Sequence, residues 1–71
     1  MNKEIAEKIN ELMLECSGKF NQSITLVMNN CSDIEFNKYR DAMSEIMTVM
    51  LLDVMNPIYE QHPDLKPSEL I

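Results

Sequence analysis

The chain has one glycine, one histidine, two cysteines and no tryptophan. Each scarcity removes a class of chemistry. Phosphate-cradling loops and nucleophile elbows need glycines at fixed spacing, and Gly18 stands alone. A helical di-metal centre needs several carboxylates in Glu-x-x-His motifs; Glu60-Gln61-His62 misses that spacing and has no second histidine to work with. Cys16 and Cys31 form no CxxC pair, and both fall on the apolar side of the first helix, where buried inert thiols are expected. No catalytic residue, cofactor or metal is therefore expected, and the chain reads as a non-enzyme.

Other absences concern location and partners. No apolar run reaches the roughly eighteen residues of a membrane span, and the N-terminal MNKEIAEKINEL is charged rather than signal-like. A cytoplasmic protein with free thiols is the expectation, with no membrane partner. The six bases form no stripe, which argues against direct nucleic-acid binding. Acidic residues dominate, at net −6, and unevenly: residues 1–30 hold four acids and three bases, residues 31–71 eight acids and three bases.

What is present is helix. Two of the three prolines lie in the last nine residues, so long helices followed by a non-helical tail are expected. The first helix is predicted from about Lys3 to Asn29, with Asn2 as N-cap and Glu4 favourable in the first turn. Ile5, Cys16 and Val27 recur at eleven residues, as do Ile9, Phe20 and Cys31, a period close to that of a straight helix. Glu4–Lys8 and Glu15–Lys19 are i,i+4 pairs in the better orientation. Gly18 costs about 1 kcal/mol in a helix interior, so it marks either a close approach of helices or a weak point.

The segment NNCSDIEF is the clearest local signal. Ser32 and Glu35 spell S-x-x-E, a capping box in which each side chain satisfies a backbone N–H, with Cys31 and Phe36 as a hydrophobic staple across it. Asn29 or Asn30 suits a left-handed residue closing the first helix. So short a turn forces antiparallel neighbours. The fold class expected is all-α: an antiparallel helical hairpin (first helix about 3–29, turn about 30–32, second helix about 33–56 or to 60), with a short Pro-containing tail at about 61–71, in one domain.

The second helix is amphipathic at first, with Phe36, Tyr39, Met43, Ile46, Met47 and Met50 on one face, continued by Val54 and Ile58. Leu52, Met55 and Tyr59 then fall on the far side as a second stripe, and Asn56-Pro57 should stop or bend the helix. Val49 and Asp53 lie on the opposite flank of the first stripe, and Asp53 is read as sitting at the solvent edge or pairing with a cation. In the tail, Leu65, Leu70 and Ile71 suggest docking, and Asp64 to Glu69 suits one helical turn opened by Pro67.

A helix with two apolar faces must bury both, and 71 residues make a marginal lone core. A homodimer of hairpins forming a four-helix bundle is the leading expectation, with Leu52, Met55, Tyr59 and Leu65 as its self-association or partner interface. The tail folding back, or another protein in the groove, are the alternatives; Met43, Met47, Met50 and Met55 are core methionines or an adaptable binding surface. The architecture resembles the Rop-type dimer of helical hairpins, without its motifs, so no residue role carries over. The function expected is a protein-interaction module (adaptor, chaperone-like or regulatory subunit). The alternative is an acidic inhibitor or antitoxin-like protein that masks a basic surface.

Overall fold

The computed structural model describes residues 1–67. Helix α1 runs Lys3–Asn30 and α2 runs Asp33–Val49; a π-helical segment at Met50–Met55 joins α2 directly to α3, Asn56–Gln61, and a short 3-10 turn follows at Pro63–Leu65. The hairpin read from the sequence is therefore the fold of the described residues. Leu70 and Ile71, and the Ser68-Glu69 end of the expected tail turn, lie outside them. Within them a 3-10 turn at Pro63–Leu65 is opened by Pro63.

The helix starts follow the capping chemistry. Asn2 Oδ1 accepts from the Ile5 N–H at 2.9 Å, and Ser32 Oγ accepts from the Glu35 N–H at 3.2 Å. The return arm of the box differs from expectation: the Glu35 carboxylate accepts from the Ser32 hydroxyl at 3.3 Å, side chain to side chain. The helix end differs too. No described residue has positive φ, so neither Asn29 nor Asn30 is left-handed. Cys31 instead turns extended while its N–H still reaches the Val27 carbonyl, and Asn30 Nδ2 donates to the Leu26 carbonyl at 2.8 Å. These bonds satisfy carbonyls that a left-handed cap would otherwise serve. The extended turn also leaves Cys31 exposed, not buried; Cys16 is half-buried.

Asn56-Pro57 does not stop the helix. Proline lacks an N–H, and in an α-helix its ring would crowd the carbonyl four residues back, that of Asp53. The chain relieves this by widening beforehand. The Met50 N–H is shared between the Ile46 and Met47 carbonyls, and the Asn56 N–H reaches five residues back to Leu51. A π segment takes more residues per turn than an α-helix, and here the lag amounts to about one residue, or about 100°. That lag resolves the two stripes. Met55 and Tyr59, on the far side of an ideal α-helix, are turned inward beside Ile58, and all three are buried against Ala6 on α1. Ile9, Met13, Leu51 and Leu65 pack around this cluster.

The core thus sits at the open end of the hairpin. Further along, Met43 is buried, and Ser23 ties the helices: its hydroxyl donates to the Phe20 carbonyl and accepts from Tyr39 Oη, both at 2.7 Å. Gly18 marks no close approach, since a Cβ there would meet nothing within 4 Å. The molecule measures 44 × 20 × 16 Å, and its thinnest dimension is little more than one helix with side chains, about 10–12 Å. Its radius of gyration, 14.3 Å, exceeds the ~11 Å of a compact chain of this length. It is a single layer where domains ordinarily have two.

Candidate functional site: an uncharged groove between the helices

Placing Met55 and Tyr59 inside the hairpin changes which surfaces are open. Met55 is 3% exposed and Tyr59 6%, Leu65 is half-buried against the same cluster, and Leu52 alone of the four expected interface residues is open to solvent, at 55%. Three of the four are therefore in intramolecular contact, the tail covering part of the second stripe. Asp53 is exposed, at the solvent edge of the helix.

The open apolar surface lies instead along the seam of the hairpin. Leu14 and Ile24 from α1 face Met47 from α2 and Leu51 and Met55 from the π segment across a groove of about 520 Å³. Between them are hydroxyl and amide groups of Ser17, Asn21, Ser44 and Thr48, and no charged side chain lines it. One of these hydroxyls is taken up by its own helix: Thr48 Oγ1 donates to the Ser44 carbonyl at 2.7 Å. α-Helical spacing sets Leu14, Asn21 and Met28 on one flank of α1, two turns apart, and Leu14 and Met28 are exposed. Of the four methionines expected as core or as an adaptable surface, Met47 and Met55 line this groove and Met43 is buried.

Two polar assemblies tie the open end of the hairpin together. Asn10 is 7% exposed; its Oδ1 accepts from Tyr59 Oη at 2.6 Å and its Nδ2 donates to the Leu65 carbonyl at 3.3 Å. One α1 side chain thereby anchors both α3 and the tail turn, and burial pushes the Tyr59 phenol pKa up. At the surface, Lys3 pairs with Asp64, the Met1 ammonium donates to Gln61 Oε1 at 3.2 Å, and His62 Nε2 contacts the Met1 carbonyl at 3.1 Å. The Lys3 hydrogen bond holds the Asp64 carboxyl below the usual carboxylate range. His62 and Gln61 therefore both contact the first residue, Met1.

Among the described residues no group of three or more His, Cys, Asp or Glu could hold a metal ion, and no helix is long and apolar enough to cross a membrane. No family model, curated protein or solved structure matches this chain. The sequence reading missed Asn10 and Ala6. The signal was there: both lie at i,i+4 on the apolar flank beside Ile9 and Met13, where a small residue and an amide invite a close, hydrogen-bonded neighbour.

Proposed function

We propose that this chain is a small cytoplasmic helical interaction module, without catalytic activity, that self-associates as a homodimer. Two copies pack groove to groove, so that two hairpins make one four-helix bundle and serve as an adaptor, chaperone-like or regulatory subunit. The observation that carries the reading is the uncharged groove of Leu14, Ile24, Met47 and Leu51 on a one-layer molecule of net −6. Acidic chains can meet closely only where they bear no charge, and a second layer is what a single-layer hairpin lacks. Methionine at the seam adapts to the facing copy.

Sedimentation of the full chain across concentration tests it. The parent should run as a dimer, more firmly with added salt, because screening weakens repulsion between two acidic copies. Leu14→Asp should run as a monomer of unchanged helix content, while Ile34→Asp, at an exposed position away from the groove, should remain dimeric. A monomeric parent, or a Leu14→Asp variant as dimeric as the parent, overturns the proposal.

A further inference from the structure

The flank of α2 turned away from the groove carries a second apolar strip. Ile46, Val49, Met50 and Val54 line a shallow hollow beside Glu45, and Val54 leads on to Pro57 in another, bordered by Asp53 and Glu60. Ile46 and Val49 are largely solvent-exposed. From Ile46 to Pro57 the strip spans about three helical turns, or about 16 Å at 1.5 Å per residue. Unlike the groove, it is edged by charged side chains, all of one sign. Glu45, Asp53 and Glu60 are all exposed, and the ion pairs among the described residues involve other acids: Asp64, Glu4, Glu15 and Asp41. The Met1 ammonium, which borders the far end, is held by Gln61.

We infer that this strip binds a basic amphipathic helix of another protein. Apolar residues of such a helix at i, i+3, i+4 and i+7 lie along Ile46, Val49, Val54 and Pro57, and its Lys or Arg side chains meet Glu45, Asp53 and Glu60. A second copy of this chain is the wrong occupant, since a self-complementary contact would set the same three carboxylates against their own equivalents. The inference goes beyond self-association and holds whether or not the groove pairs two copies.

The test uses a fluorescent leucine–lysine peptide with leucines at helical spacing, titrated into the full chain. The control is a peptide of the same composition in shuffled order. Expected is saturable binding of one amphipathic peptide per chain, weakened by salt. Glu45→Lys/Asp53→Lys should weaken it about tenfold, and Ile46→Ser/Val49→Ser should do so at unchanged melting temperature. Leu14→Asp should bind like the parent. Equal binding of the shuffled peptide, strip variants that bind like the parent, loss of binding in Leu14→Asp, or no binding at all overturns the inference. Light scattering on the same samples reports oligomeric state separately, so failure here is distinguishable from failure of the dimer.

Discussion

The Tyr59 hydroxyl donates to Asn10 Oδ1 at 2.6 Å, joining residues 49 positions apart at the open end of the hairpin. Removing one partner strands the other in a buried site. Tyr59→Phe should therefore cost about 1–3 kcal/mol in urea unfolding. The double variant with Asn10→Leu should cost less than the two single changes together, because no orphaned polar group remains between them. Additive costs would place the bond outside the energetics of folding. Burial raises the Tyr59 pKa, so its contribution to stability is full below the ordinary phenol value near 10 and is lost as pH rises through the higher folded value.

Met55 and Leu52 were equals on the helical wheel, and the structure separates them. A carboxylate at Met55 would lie unpaired in the core, at a cost of several kcal/mol, comparable with the entire stability of a small domain. Met55→Asp should abolish cooperative melting followed by far-UV circular dichroism. Leu52→Asp, at an exposed site, should stay within about 0.5 kcal/mol of the parent. Similar melting of the two variants would contradict the inward turn of Met55.

The Lys3–Asp64 pair fastens the tail turn to the start of α1. Its hydrogen bond lowers the Asp64 pKa and raises that of Lys3. Asp64 thus stabilises the folded form fully above its unfolded pKa, near 4. That contribution fades as pH falls through the lower folded value. For Lys3 the sign reverses, with loss only as pH rises through its raised folded pKa. In a carboxyl NMR titration, Lys3→Met should return Asp64 to the ordinary range, and an unchanged midpoint would show the pair to be absent in solution.

Gly18 lies in a helix with open space where a Cβ would be. Gly18→Ala should therefore stabilise the chain by about 0.5–1 kcal/mol, read as a higher melting temperature. A decrease would mean that some surface approaches this position in solution.

Local chemistry was the legible part. Asn2, Ser32 and the i,i+4 pairs report on a few neighbouring residues, and the structure uses each where the sequence put it. The capping box returned through the Ser32 hydroxyl, because side-chain geometry can meet the same demand in more than one way. The helix phase after Met50 was not legible, since it depends on how Pro57 is relieved and on what Ala6 leaves room for across the hairpin. Yet it had left a trace: the second stripe of Leu52, Met55 and Tyr59 is displaced from the first by about the rotation that a π segment adds. Asn10 escaped notice because an amide among apolar residues looks like an interruption until its partners are known. The candidate site shifted accordingly: Tyr59 closes into the core, and Met55 reaches the groove together with Leu14, Met47 and Leu51.

The widened turn at Met50–Met55 works as a gearbox between two halves of one helix. Upstream and downstream residues follow the same α rhythm but are read out of step by one tooth. Straightening that segment into regular α-helix at unchanged length would leave the composition intact and yet rotate the whole of α3 by about 100°, carrying Tyr59 away from Asn10. The register of six residues, more than their hydrophobicity, decides which side of this hairpin faces the world.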